Sequence, residues 1–321
     1  MYRADRLAGS AVLVTGGSGF IGEHLCCRLK ASGAIVHVVS RRLCPSHREH
    51  FRWWNADLRD VSAVQQVFRA VQPRIVFHLA SHVAGARSLE MVLPTFYDNL
   101  ASTVHVLTAA AAVRSERTVL ASSSEEPLAS NETPCSPYAA AKWASSVYGR
   151  MFNQLFQTSV VMARIFMTYG PKQKDMQKLV PFVISNLLRG EAPPLSSGRR
   201  RADWVYVDDV VEGLLRAAVT PGIEGCAFDL GRGSLVSVRE IVEQIANIAG
   251  GSAKPAFNKL PDRPFEQERA ADTSFLLNRL GYQPQTELKQ GLENTVSWYR
   301  KQFEATTDSS TRDAARERKV R

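Results

Sequence analysis

The chain has 321 residues, enough for one large domain or two modest ones with a real hydrophobic core. Apolar residues make up 45% and charged residues 22%, as in an ordinary globular protein, and no run of eighteen apolar residues calls for a membrane-spanning helix. Forty Lys and Arg against 31 Asp and Glu leave a formal charge of +9. The basic residues are scattered, without zinc-finger spacing or an aromatic-basic RNA motif, so neither a nucleic-acid nor a membrane partner is predicted.

Met1 to Arg6 lead straight into a strand pattern without a secretory apolar stretch. Cys26, Cys27, Cys44, Cys135 and Cys226 lack metal-ligand spacing, and their odd number predicts free thiols in a cytoplasmic protein. Ala11 to Val14 read as a strand that ends in Thr15-Gly16-Gly17-Ser18-Gly19-Phe20-Ile21-Gly22 and opens a helix through Leu29, with a second strand at Ile35 to Val39. That unit is the context in which glycines let a backbone approach a pyrophosphate at a helix N-terminus. Helix and strand then alternate: Val61 to Val71, Arg74 to His78, Pro94 to Arg114, Arg117 to Ala121, a helix from Tyr138, and Ser159 to Arg164. Strict alternation predicts an α/β fold, a Rossmann-type doubly wound parallel sheet covered on both faces. Ligands bind such sheets at the carboxyl ends of strands, so the glycine turn, His78 to Ser81, Ser122 to Glu125 and Ile165 to Gly170 should converge on one cleft.

After Gly170-Pro171 the pattern loosens into a helix from Lys178 to Arg189, a loop from Ala192 to Gly198, and Arg199-Arg200-Arg201. A strand at Trp204 to Val207, a helix from Val210 to Ala218, a strand at Cys226 to Leu230 and a helix from Val238 to Ala249 follow. The polar loop from Pro261 to Pro264 precedes helices near Thr273 to Leu280 and Leu288 to Phe303. Residues 1–171 are therefore expected to form the dinucleotide-binding domain, with elements near 204–235 returning to it. Residues 172–304 form a smaller mixed α/β substrate lobe, and the basic, apolar-poor stretch 305–321 is expected to be a disordered tail.

The chemistry is concentrated between Ser122 and Lys142. Tyr138 and Lys142 are four residues apart in an Ala-rich helix and so share a face. A phenol with a reference pKa near ~10 is a poor base at neutral pH, but an ammonium beside it favours the phenolate. A nearby serine hydroxyl would hydrogen-bond a substrate alcohol or carbonyl.

Thr15 to Gly22, Asp57-Leu58, His78-Leu79-Ala80-Ser81, Asn99, Ser122 to Glu125, Tyr138-x-x-x-Lys142, Arg164 to Pro171, and Arg201-x-Asp203-x-x-Tyr206-Val207-Asp208-Asp209 follow in that order. From residue 10 to about 303 the chain thereby resembles the extended short-chain dehydrogenase/reductases, specifically the NAD(P)-dependent nucleotide-sugar epimerases and dehydratases. The resemblance implies that Gly16, Gly19 and Gly22 carry the pyrophosphate, flanked by Phe20 and Ile21. Asp57 and Leu58 would contact the adenine, Leu79, Ala80, Ser81 and Asn99 would line the cofactor, and Lys142 would hold the nicotinamide ribose. Tyr138 would be the base and Ser123 the catalytic hydroxyl, with Ser124 as second choice. The implied first step oxidises a sugar hydroxyl, usually at C4. The 4-keto sugar is then epimerised, dehydrated or, for a uronate, decarboxylated.

Departures from the family pattern carry expectations of their own. Ser40-Arg41-Arg42 stands where NAD-preferring members end the second strand in an acid, which favours NADP over NAD. Glu125 matches an acid used in elimination, yet Glu126-Pro127 replaces the usual Val-Tyr-Gly, so elimination and epimerisation both stay open. Met167 replaces a substrate-binding Asn, while Arg201 and Arg263 match the diphosphate-binding arginines. His78 and His82 are expected to be packed rings rather than acids, and Trp53-Trp54 to be packing residues. The family commonly pairs the Asn99 and Tyr138 helices between subunits, and Ala109 to Ala112 and Ala139 to Ala144 would let them approach in a homodimer. A net NADPH-dependent 4-ketoreductase and a dinucleotide-sensing binding protein are the other classes; a sensor needs none of Ser123, Tyr138 and Lys142.

Overall fold

The computed structural model describes residues 4–41, 50–83, 85–129, 131–263 and 267–319; Arg42 and Cys44 lie outside the described residues. Strand β1 (Ala11–Thr15) enters helix α1 (Phe20–Ala31), followed by β2 (Ile35–Ser40), β3 (Arg52–Asn55), α2 (Val61–Val71) and β4 (Ile75–His78). Helix α3 (Val92–Thr95) runs through a π-helical turn (Phe96–Ala101) into α4 (Ser102–Ala112), and β5 (Arg117–Ser123) leads to α5 (Pro137–Phe156). Then come β6 (Val160–Ile165), β7 (Met167–Tyr169), α6 (Leu179–Leu188), β8 (Arg201–Tyr206), α7 (Val207–Val219), β9 (Ala227–Leu230) and β10 (Leu235–Ser237). Helices α8 (Val238–Ala249), α9 (Ser274–Leu280) and α10 (Leu288–Lys319) complete the chain.

Local chemistry starts these helices where they start. Asp60 accepts from the backbone N–H of Ser62 and Ala63 at the head of α2, whose Val64, Val67, Phe68 and Val71 recur at helical spacing on the buried side. Ser136 caps α5 at Ala139 N, with Pro137 in the first turn where its missing N–H costs nothing. Ser237 and Glu240 form a reciprocal capping box on α8.

Seven parallel strands form the main sheet in the order β3-β2-β1-β4-β5-β6-β9. Their apolar runs, such as Val12-Leu13-Val14 and Val160-Val161-Met162-Ala163, are buried because helices cover both faces. The order turns back between β1 and β4, and that switch point opens the cofactor cleft. A second core holds the smaller lobe, where Tyr169, Trp204 and Tyr206 pack with Val183, Ile184, Ile241, Ile245, Leu292 and Val296. Its sheet is mixed, with β8 parallel to β7 and antiparallel to β10. Phe20 and Ile21 touch this second core from the start of α1, and Ile21 also packs on the main one.

Several details differ from the sequence reading. Arg52 to Asn55 form the edge strand β3, and the Trp54 indole N–H donates to His37 Nδ1 at 3.0 Å. Within 204–235, β9 and α7 pack with the main sheet, but β8 belongs to the small one. Helix α10 runs to Lys319. Of the alanines expected to pair, Ala109, Ala110, Ala139 and Ala141 are buried inside the protomer, Ala111, Ala140 and Ala144 are half-buried, and Ala112 is exposed. Exposed apolar residues of these helices include Leu93, Phe96, Tyr97, Val147 and Tyr148.

Candidate active site

The glycine turn fits a phosphate ligand on steric grounds. Gly16 has φ +72, and a Cβ on it would lie 2.6 Å from Ala80 N, so β1 and β4 meet backbone to backbone. A Cβ on Gly22 would lie 2.1 Å from Gly16 O, which seats α1 directly against the turn. Gly19 caps α1 without a side-chain hydrogen bond, and Ser18 and Gly19 are exposed. The first N–H groups of the helix therefore point to an open, side-chain-free entrance, the arrangement that accepts a diphosphate.

At the ribose end Ser40 is half-buried and Arg41 exposed. Arg41 Nη1 and Arg59 Nε each stand 3.8 Å from Asp98 Oδ1. Arg59 also grips Asp57, with Nη2 2.5 Å from Oδ2, and this contact holds the Asp57 carboxyl below its ordinary range. Leu58 is half-buried and its carbonyl accepts from His105 Nδ1 at 2.9 Å.

At the end of β4 a chain of hydrogen bonds closes on itself. Ala80 N donates to Thr15 Oγ1 at 3.2 Å, and Thr15 Oγ1 lies 2.7 Å from His78 Nδ1. His78 Nε2 lies 3.0 Å from Thr103 Oγ1, whose own proton goes to Asn99 O at 2.5 Å. With the Thr103 proton committed, His78 donates through Nε2 and accepts at Nδ1. The ring is buried, and burial pushes its pKa down to about 3, so it is a neutral packing residue as expected. Asn99 accepts from Ser81 Oγ and His82 N at 3.0 and 2.6 Å, which locks the segment after Leu79 and Ala80. His82 Nδ1 stands 3.6 Å from Asp98 Oδ2.

The end of β5 carries the opposite character. The Tyr138 phenol, half-buried at the start of α5, is hydrogen-bonded by the hydroxyls of Ser123 and Ser81. Its pKa is raised overall, chiefly by burial and further by the charges of Glu125 and Glu126; the two serines offset this only in part, so the fold does not bring the phenol into the working range expected from the Tyr138-Lys142 spacing. One turn on, Lys142 is buried and donates to Ala121 O at 2.7 Å, with Nζ 5.9 Å from the Tyr138 ring centre. Burial brings its pKa down to about 8. Ser123 is thus the serine that meets Tyr138. Ser124 pairs its N–H with Ile165 O and its carbonyl with Arg269. Glu125 is turned inward: Ser136 Oγ donates to its Oε2 at 3.4 Å, and its N–H donates to Ser123 Oγ at 3.2 Å.

Three groups in this site escaped the sequence reading. Glu126 is buried and accepts from Ser123 N at 3.1 Å. Asp229 is buried between Arg164, at 2.6 Å, and Arg269, at 2.7 and 2.8 Å. Arg269 in turn reaches the carbonyls of Ser124 and Glu126 and bolts the catalytic loop to the lobe. A charged residue inside an otherwise apolar strand run, as Asp229 is in Ala227-Phe228-Asp229-Leu230, was the available signal.

The proposed substrate residues lie at the lobe. Met167 is half-buried on β7 opposite Trp204 and packs against the lobe core. Arg201 is exposed at the start of β8 and donates to Leu235 O at 3.1 Å. Arg263 is exposed, and its Nη1 would lie 3.1 Å from a Cβ on Gly85, in the loop after β4. Among the described residues no His, Cys, Asp and Glu group could hold a metal ion, and no helix is long and apolar enough to cross a membrane.

Residues 12–231 match the NAD dependent epimerase/dehydratase family. The chain is 30% identical over 312 residues to a UDP-glucose 4-epimerase of Mycolicibacterium smegmatis, covering 90% of this chain and 98% of the relative. It is 29% identical over 317 residues to a dTDP-glucose 4,6-dehydratase of an Actinoplanes species, covering 90% and 97%. The structure superposes on the UDP-glucose 4-epimerase of Thermus thermophilus in complex with NAD with a TM-score of 0.80 and 29% identity, over 90% of this chain and 98% of that one. A family match across the whole dinucleotide-binding sheet, joined to a glycine turn shaped for a diphosphate and a Ser-Tyr-Lys cluster beside it, means that this chain is an NAD(P)-dependent enzyme belonging to the NAD dependent epimerase/dehydratase family.

Proposed function

We propose that the enzyme oxidises C4 of a nucleoside-diphosphate sugar and acts on the resulting 4-keto sugar. The observation that carries this reading is the placing of Ser123, Tyr138 and Lys142 together at the β5 end, next to the glycine turn. The Gly16 to Gly22 turn, Asp57, Leu58, Leu79 to Ser81, Asn99 and Lys142 would hold NAD(P), which supplies the hydride acceptor when bound. Tyr138 takes the proton of the C4 hydroxyl while Ser123 hydrogen-bonds the same oxygen. Lys142 keeps a positive charge near the phenol, which with the Ser123 and Ser81 hydroxyls opposes the rise that burial and the two glutamates impose on it. Arg201 and Arg263 take the substrate diphosphate.

Epimerase and dehydratase relatives match this chain about equally well. The inward turn of Glu125 toward Ser136 and Tyr138 favours dehydration as a second reading, with Glu125 taking the C5 proton. A panel of nucleoside-diphosphate hexoses and uronates incubated in heavy water, without added reductant, separates these outcomes by mass spectrometry. An isomer of unchanged skeleton supports epimerisation, and loss of water supports the dehydratase. Loss of carbon dioxide would indicate uronate decarboxylation. A requirement for NADPH and a keto sugar would replace the proposal with a 4-ketoreductase, and no conversion of any kind would leave a binding protein.

For the cofactor, the convergence of Arg41 and Arg59 at the ribose end supports a preference for NADP. Equal NADH and NADPH affinities, unmoved by Arg41→Ala, would refute it. The exposed Leu93, Phe96, Tyr97, Val147 and Tyr148 support a homodimer. Analytical ultracentrifugation should then give twice the 35.5 kDa chain mass; a single-chain mass at micromolar concentration would refute it.

A further inference from the structure

Glu126 is 3% exposed, in the loop that follows β5. Its Oε1 accepts from Ser123 N at 3.1 Å, and its carboxyl is also hydrogen-bonded by the hydroxyls of Ser122 and Ser146, which stand 2.7 Å from each other. Burying a carboxyl this deeply is costly unless a charge partner compensates it. Lys142, 5% exposed, donates to Ala121 O at 2.7 Å, and that carbonyl and the Ser123 N–H that Glu126 accepts from lie two residues apart on the same edge of β5. We infer that Glu126 is the buried charge that balances Lys142 from the same strand edge, a positioning residue that keeps the ammonium charged without direct contact. The inference rests on the reading of Ser123, Tyr138 and Lys142 as the catalytic groups.

The other titratable groups around the pair leave this role to Glu126. His78 from β4 interacts with Lys142 but is held neutral by its threonines. Tyr138 is on the same helix, and Glu125 acts on Tyr138. Arg269 approaches the loop through the carbonyls of Ser124 and Glu126, and its guanidinium shares the Asp229 carboxylate with Arg164. Burial pushes the Glu126 carboxyl up and the Lys142 ammonium down, and each of the two opposes the other's shift. The same carboxylate raises the Tyr138 phenol. Glu126 therefore sets both halves of the pair in one direction, toward protonation.

The test is Glu126→Gln in the full chain. A carboxamide oxygen can still accept from Ser123 N–H, so the loop keeps its bond and loses only the charge. Lysine side chains carrying a carbon-13 label at Cε report the titration of Lys142, assigned by the signal lost in Lys142→Arg. In Glu126→Gln the Lys142 midpoint should fall by at least about one pH unit, and in Glu126→Asp it should return toward wild type. Equal midpoints in wild type and Glu126→Gln overturn the inference. If Glu126→Gln does not fold, the reciprocal measurement decides, because coupling is mutual. The Glu126 carboxyl midpoint must then rise in Lys142→Met, and an unmoved midpoint overturns the proposal. If the wild type converts none of the nucleotide sugars of the panel, the functional reading fails while these midpoints still decide the charge pair. Where a substrate is found, the alkaline limb of its kcat/KM profile should move down with the Lys142 midpoint, a shift that a merely structural role of Glu126 would not produce.

Discussion

Two neighbouring strands end at the same cleft and bury polar groups to the same depth, yet they are built for different tasks. At the end of β4, Thr15, His78, Thr103 and Asn99 pass every proton along a closed chain, and no charge remains. At the end of β5, Glu126 and Lys142 are both buried and both ionisable, with the Tyr138 phenol alongside. A saturated neutral network fixes geometry at little electrostatic risk. A buried charge pair keeps an ammonium charged beside the phenol, and a positive charge there is what a tyrosine base at neutral pH needs. The first region supplies the rigid wall against which the second can work.

The contrast is sharpest in Tyr138→Phe, which removes the proton acceptor and leaves the β4 network untouched. Its kcat should fall by about 10³-fold, within the range for losing a general base, while NADH binding and the circular dichroism spectrum stay as in wild type. Near-normal turnover would show that the two ends do not divide the labour this way. His78→Leu probes the other end. It strips partners from Thr15 and Thr103 and should cost about 3 kcal/mol, seen as a lower urea midpoint at unchanged slope. If the residual folded enzyme also loses most of its kcat, His78 belongs to the chemistry after all. Ser123→Ala should reduce kcat by about 10²-fold, and Ser124→Ala by less than a tenth of that loss, since only Ser123 meets Tyr138.

The smallest effect is in pH. His78 titrates near 6.5 when unfolded and is pushed down to about 3 in the fold. Between those values the unfolded chain binds one more proton than the native one, so this group's contribution is complete above about pH 6.5 and is lost as pH falls toward 3. Urea melts of the wild type should therefore lose about 1 kcal/mol per pH unit more than those of His78→Leu in this window. Parallel losses in the two proteins would mean that His78 is protonated within the fold.

How much of this was readable without coordinates follows from the range of each interaction. The glycine turn, the strand and helix alternation and the Tyr138-Lys142 spacing are local patterns, and local geometry alone places them at one edge of a parallel sheet. Hence the fold class, the glycine turn and the pairing of Tyr138 with Lys142 on one helix face could be named from the residues in order. The choice between Ser123 and Ser124 could not, because three serines in a row look alike until β5 is seated and one of them meets α5. Nor could the inward turn of Glu125, or the role of Glu126, which in sequence is only the acid before a proline that replaces the usual Val-Tyr-Gly. Its partner Lys142 lies on the next helix, and the Arg269 that steadies its loop is bonded to Ser124 across 145 residues of chain. Such contacts are set by the packing of the lobe against the sheet, and the energy of a buried charge depends on that packing rather than on its neighbours in sequence.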